Sequence, residues 1–215
     1  MNEIFNELDS TLLVLTHLNE TIKSRTNFCK RNVQFSYNEC IRQKITEKID
    51  LKIEISDSPS DPILAEIARE CVDLKLIQHN YNRLNIIDMF SFNDEYCNFF
   101  SVEKFNDEIT KKRIEKVKEI NKTVRKKINW TQLQKFRNNI LAHNLRDKKD
   151  NYKIALKTFS EIDIYLDKTS LAIEYSEVVL QIYQNVFREF EVEIELAKES
   201  LKKYKIKKTN AQQLI

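Results

Sequence analysis

The stretch Thr169–Tyr204, TSLAIEYSEVVLQIYQNVFREFEVEIELAKESLKKY, decides the fold. Leu171, Tyr175, Val178, Ile182, Val186, Phe190, Ile194 and Leu201 recur in it at helical steps, so that one face of a long α-helix is apolar throughout. A stripe of that length has to be covered by other helices, which makes this segment the expected central element of an all-α bundle. Beyond it, Lys202–Lys208 is a lysine-rich run that is expected to fray. The domain reading is therefore one helical-bundle domain over 1–201 and a basic C-terminal tail over 202–215.

The same period, read upstream, predicts a helix over Glu3–Thr26 on Ile4, Phe5, Leu8, Leu12, Leu15 and Leu18, with His17 as a core or boundary side chain. A second helix is predicted over Tyr37–Ile49. Asp61 followed by Pro62 reads as an N-cap and a proline at the first helical position, opening a third helix that runs past Cys71 and Ile77 toward Leu84–Phe90. A turn is expected near Asn93 and Asp94, then a fourth helix over Ser101–Ile128. Within it Lys111–Lys127 holds nine basic and two acidic residues. Such a run reads first as a solvated helix face and second as a polyanion contact.

Composition removes whole classes of protein. A chain of 215 residues with ordinary usage would carry about fifteen glycines, and this one has none. A phosphate-cradling glycine loop cannot be built, which rules out the P-loop and dinucleotide-binding folds. Net charge is 36 − 33 = +3, too small to demand a polyanionic partner by itself. The N-terminus carries Glu3, Glu7 and Asp9 rather than a secretory pattern, and no run of eighteen apolar residues occurs, so the expectation is a cytosolic chain without a membrane partner. Cys29, Cys40, Cys71 and Cys97 contain no Cys-x-x-Cys pair and read as buried, reduced thiols.

Two stretches break the helical period. Residues 49–55 and 161–166 alternate apolar and polar side chains, and their pairing would add a minor two-stranded β ribbon to the bundle. Metal chemistry finds no footing. None of the three histidines follows a glutamate by three residues, which excludes the di-iron bundle pattern. The carboxylate pairs Glu47/Asp50 and Glu70/Asp73 occur at a spacing that a chain this acidic produces about five times by chance. No cofactor and no metal site is expected.

The informative segment is Trp130–Asn144, WTQLQKFRNNILAHN. Thr131 and Gln134 form a capping box, and Leu133, Phe136, Ile140 and Leu141 give the helix a buried face. Arg137, Asn138 and His143 stand toward its far end. Such a set has the means to cleave RNA without a metal: an imidazole exchanges protons with the 2′-hydroxyl or the leaving oxygen while a guanidinium steadies charge on the phosphoryl oxygens. On one straight helix Arg137 and His143 would lie about 120° apart and about 9 Å along the axis. Convergence requires the helix to end near Ala142, with Asn144 as a left-handed cap, or a second copy of the motif facing the first across a dimer. Arg146, Lys148 and Lys149 put cations beside the site, and with Asn144 they form the expected RNA-binding set. The bland alternative is that His143 only caps a helix C-terminus and Arg137 makes a structural ion pair.

Arg137-Asn138-Asn139-Ile140-Leu141-Ala142-His143 resembles the signature of the HEPN superfamily, an arginine and a polar residue followed by a histidine, with four to six residues between arginine and histidine. The local form FRNNILAHN is most similar to abortive-infection-type and toxin-type members. The resemblance covers about fifteen residues. It implies a helical bundle, a homodimer that brings two motifs together, metal-independent endoribonuclease activity leaving a 2′,3′-cyclic phosphate, and a role in phage defence or beside an antitoxin or inhibitor protein. It assigns Arg137 and His143 to catalysis and Asn138 to their support. A non-catalytic module of the same fold, binding RNA, a nucleotide or a protein partner, is the alternative, and a purely structural helical adaptor is a third.

Overall fold

A computed structural model describes residues 6–32, 37–51, 53, 61–137 and 169–212. Helices α1 (Glu7–Asn32), α2 (Tyr37–Asp50), α3 (Pro62–Asp94), α4 (Glu108–Arg125), α5 (Trp130–Arg137) and α6 (Thr169–Gln212) account for nearly all of them. The fold is an all-α bundle, and no strand occurs among the described residues. Of the strand expected over 49–55, Ile49 and Asp50 instead close α2, and the amides of Leu51 and Ile53 donate to the carbonyls of Glu47 and Lys48; residues 52, 54 and 55 lie outside the described residues. Residues 161–166 lie outside the described residues. No described helix is long and apolar enough to cross a membrane.

The long stripe is the centre of the bundle. α6 packs against α1, α3 and α4, α1 packs along α3, and α2 lies on α3. Val179, Ile182, Val186, Phe190 and Ile194 of α6 are buried with Leu12, Leu15 and Ile22 of α1 and Ile114 and Val117 of α4. His17 lies about 200° round α1 from Leu15 and is exposed, contrary to its expected place in the core. Helical winding in α6 continues through Gln212, past the point where the basic tail was expected to fray.

Buried polar side chains set the register between helices. Thr16 of α1 gives its hydroxyl proton to the Leu12 carbonyl at 2.7 Å, so the Tyr183 hydroxyl of α6, also 2.7 Å away, is the donor to Thr16. Asn121 of α4, fully buried, donates to the Tyr96 hydroxyl and the Ile182 carbonyl, each at 3.2 Å, and accepts from Asn185 at 2.8 Å. Burying an amide without such partners would cost about 1–3 kcal/mol, and these contacts therefore single out one alignment of α4 on α6. The thiols of Cys29 and Cys71 are buried and pushed up to about 11 and about 12, in both cases chiefly by that burial; Cys40 and Cys97 are only half-buried.

Helix boundaries show where local preference yields to packing. Asp61 caps α3 as expected, accepting from the amides of Ile63 at 2.7 Å and Leu64 at 3.2 Å with Pro62 behind it. The turn expected near Asn93 and Asp94 does not form. The chain winds on through a π turn, Glu95–Phe99, in which the Phe100 amide reaches back to the Glu95 carbonyl at 2.9 Å. The reason is an aromatic column. Phe92, Tyr96, Phe100 and, from α6, Phe190 follow one another with ring centroids 6.2, 5.7 and 5.5 Å apart, and a turn at Asn93 would break that column. A 3₁₀ turn over Val102–Lys104 follows, and α4 begins only at Glu108, where Asp107 accepts from the Thr110 amide at 2.8 Å.

α6 is kinked at Phe190, whose backbone angles of −123° and 26° leave the helical region. Arg113 of α4 holds the kink. Its guanidinium donates to the Glu189 carbonyl, to the Glu189 carboxylate at 3.3 Å and to both carboxylate oxygens of Glu193, and it stacks 4.2 Å from the Phe190 ring centroid. A side chain entering the backbone ladder in this way is an ordinary cause of a helix kink.

Candidate nucleic-acid interface

The basic run of α4 divides between two environments. Lys112, Lys116, Lys122, Lys126 and Lys127 face solvent as a solvated helix face would, whereas Arg113, Lys118 and Arg125 turn inward. The heptad register explains the division: Ile114, Lys118, Asn121 and Arg125 recur at four, three and four residues and so share the face that meets the core. Lys118 and Arg125 are carried by that register against the aromatic column. Lys118 donates to the Tyr96 carbonyl and lies 4.2 Å from the Tyr96 ring centroid. Arg125 donates to Asn93 and to the Cys97 sulfur, each at 2.9 Å, while its Nε is buried without an acceptor.

These side chains border a groove of about 870 Å³. Its walls are Ser101 and Val102 on one side, the α4 stripe from Glu115 to Lys126, and the chain from Ile128 to Thr131 that leads into α5. Charge is graded along it. Glu115 and Glu119 lie along the middle of α4, and Lys122, Arg125 and Lys126 toward its end. Lys122 is paired with Glu119 at 3.4 Å, but Lys118, Arg125 and Lys126 have no carboxylate partner among the described residues. The open carbonyls at the C-terminal end of α4 favour cations here. Trp130 closes the groove, with its indole N–H committed to the Arg125 carbonyl at 3.1 Å.

Burial pushes the Lys118 ammonium down to about 8, against an ordinary 10.5, and Arg125 adds repulsion; Cys97 acts in the opposite sense. The ring faces and the Tyr96 carbonyl favour the charged form, but loss of water outweighs them. Between pH 8 and 10.5 the unfolded chain holds this proton and the folded chain does not, so stability rises with pH across that window. Lys118→Met, which keeps the length and replaces charge by a thioether on the ring, is therefore expected to stabilise the fold by about 1–3 kcal/mol at pH 7. The gain should shrink toward pH 10. Urea unfolding at the two pH values measures both effects, and an equal or negative change at pH 7 would contradict this reading of the pocket.

α5 joins the groove to the sequence motif. Asn129 accepts the first helical bond, from the Leu133 amide at 3.1 Å, so the helix starts two residues before the expected Thr131 capping box. Leu133 is buried in the core and α5 packs on α3, which fixes the helix axis. Arg137 is the last residue of α5, and its side chain lies outside the described residues. Asn138, His143, Asn144, Arg146, Lys148 and Lys149 also lie outside them. Motif reasoning passed over Trp130, Lys118 and Arg125, although the heptad register of α4 and the position of the chain's single tryptophan were there to be read.

Among the described residues no group of three or more His, Cys, Asp or Glu side chains is arranged to hold a metal ion. Compared with protein-family models, curated proteins and solved structures, the chain has no significant match.

Proposed function

We propose that this protein is a metal-independent, HEPN-like endoribonuclease of the toxin or phage-defence type, acting in the cytosol as a homodimer. The observation that supports the reading is the placement of α5. One end of this eight-residue helix forms a wall of the cation-lined groove and the other ends at Arg137, about 10 Å along the axis. A strand that leaves the groove along α5 comes to Arg137, the first residue of the motif. In the reaction, His143 accepts the proton of the 2′-hydroxyl as that oxygen attacks the adjacent phosphorus, and Arg137 balances the charge on the phosphoryl oxygens. The P–O5′ bond breaks and the leaving oxygen takes that proton from the His143 imidazolium, giving a 2′,3′-cyclic phosphate, a 5′-hydroxyl and neutral His143. Asn138 supports the pair, and Asn144, Arg146, Lys148 and Lys149 hold flanking phosphates. An antitoxin or inhibitor protein that covers the site completes the proposal.

The second reading is a non-catalytic module of the same fold that binds RNA, nucleotide or a protein partner. It is favoured by the groove itself, whose described cations outnumber its carboxylates and attract anions with or without His143. Incubation with mixed tRNA and structured RNA in excess EDTA separates the two. Cutting to 2′,3′-cyclic ends supports the nuclease. Binding without cutting gives the groove to the second reading.

A further inference from the structure

We infer that the α4–α5 groove is selective for unpaired nucleic-acid strands, a base stacking on Trp130 while Lys122, Arg125 and Lys126 hold the phosphates beside it. The inference deepens the proposed function by naming the form of the substrate, and it rests on the reading of this chain as acting on RNA. Three observations carry it. The groove, about 870 Å³, is far larger than a lone anion needs and is of the size that holds an organic ligand. Lys122, Arg125 and Lys126 lie toward one end of it, where Lys122 shares its charge with Glu119 at 3.4 Å while Arg125 and the exposed Lys126 have no carboxylate partner among the described residues. Trp130 stands at that same end.

Trp130 is half-buried against the core and lines the groove, and its single donor is spent on the Arg125 carbonyl, so what is left for a ligand is ring surface, oriented by that bond. A fixed aromatic face beside phosphate-binding cations is the arrangement by which single strands are held without reading sequence. Paired bases are already stacked on one another and cannot present a face to it. An acidic peptide would satisfy the cations but would leave the indole unused. Glu115 lies farther back along α4 and repels phosphate there, so the strand runs from Lys122–Lys126 past Trp130 and onward along α5 toward Arg137.

Trp130 is the only tryptophan in the chain, which makes its fluorescence a report from this groove alone. The probe is a short mixed-sequence 2′-O-methyl RNA, which has no free 2′-hydroxyl and so scores binding whether or not the protein is a nuclease. The expected result is saturable quenching by the single strand, weakened at least tenfold by Lys122→Glu with Lys126→Glu, two exposed positions. The same strand in a duplex, and inorganic polyphosphate, should leave the emission nearly unchanged. With a labelled strand, Trp130→Leu should weaken binding about 5- to 150-fold and Trp130→Phe less. No quenching by the single strand, or equal quenching by polyphosphate or duplex, would overturn the inference. Cleavage in EDTA without quenching would remove this groove and keep the nuclease. Quenching without cleavage would do the reverse.

Discussion

His143→Ala is expected to slow RNA cleavage by about 10²–10⁴-fold, the range that a positioned general acid–base contributes. The effect is one of rate rather than folding. If His143 acts on the 2′-hydroxyl and the leaving oxygen, the rate should depend on pH through groups near neutrality, and the variant should lose that dependence while melting like the wild type. The competing structural role makes a different forecast. An imidazolium that only caps a helix C-terminus contributes about 0.3–2 kcal/mol to stability, so its loss would lower the melting temperature and leave the rate per folded molecule unchanged. Single-turnover rates across pH, taken with thermal unfolding of both proteins, tell the two apart.

Arg113→Ala is expected to cost about 2–4 kcal/mol of stability. The guanidinium is the common partner of the Glu189 carbonyl and the carboxylates of Glu189 and Glu193, and it covers the Phe190 ring at the kink of α6. Removing it leaves two carboxylates one turn apart facing a kinked backbone. These side chains are between 19% and 28% exposed, enough burial for the pairing to escape most screening. Lysine should not rescue the loss, because it lacks the planar fork that bonds carbonyl and carboxylates at once.

The pH dependence has a definite sign. Glu189 is held below its ordinary 4.5 by Lys116 and then Arg113, and Glu193 chiefly by Arg113. Carboxylates with lowered folded values add stability that is fully present above 4.5 and is lost as pH falls through the folded values. Wild type should therefore lose more stability on acidification below pH 4.5 than Arg113→Ala does. Urea midpoints at pH 7 and pH 3.5 measure it, and a variant with wild-type stability at pH 7 would contradict the role of Arg113 at the kink.

The fold was legible because its strongest signals are local and periodic. The α6 stripe and the Asp61–Pro62 helix start stand in the structure as the sequence predicts them, and the helix predicted over Tyr37–Ile49 is found over Tyr37–Asp50. The errors lie where contacts distant in sequence override local preference. Asn93 and Asp94 invite a turn, but Phe92, Tyr96 and Phe100 are worth more stacked on one another and on Phe190, a residue with no sequence relation to them. His17 sits in an apolar stretch and still points outward, since helical phase and not neighbouring residues decides exposure.

The candidate site was legible in a different measure. Arg137, Asn138 and His143 are readable as a motif because their chemistry depends on residue type and spacing. The groove is not, because its wall is assembled from the 3₁₀ turn, α4 and the start of α5. Lys118 and Arg125 look like members of a solvated run until the register of Ile114 and Asn121 is used to turn them inward.

Cleavage of one RNA bond with and without its 2′-hydroxyl tests the central claim most directly. A mapped cleavage position is rebuilt as a matched pair of RNAs that differ only by a 2′-deoxynucleotide at that position, and both are incubated with wild-type protein in excess EDTA. The account predicts that the all-RNA strand is cut to a 2′,3′-cyclic phosphate and that the deoxy strand is uncut at that bond alone. Equal cutting of the two strands, or no cutting of either by protein that binds them, would contradict it.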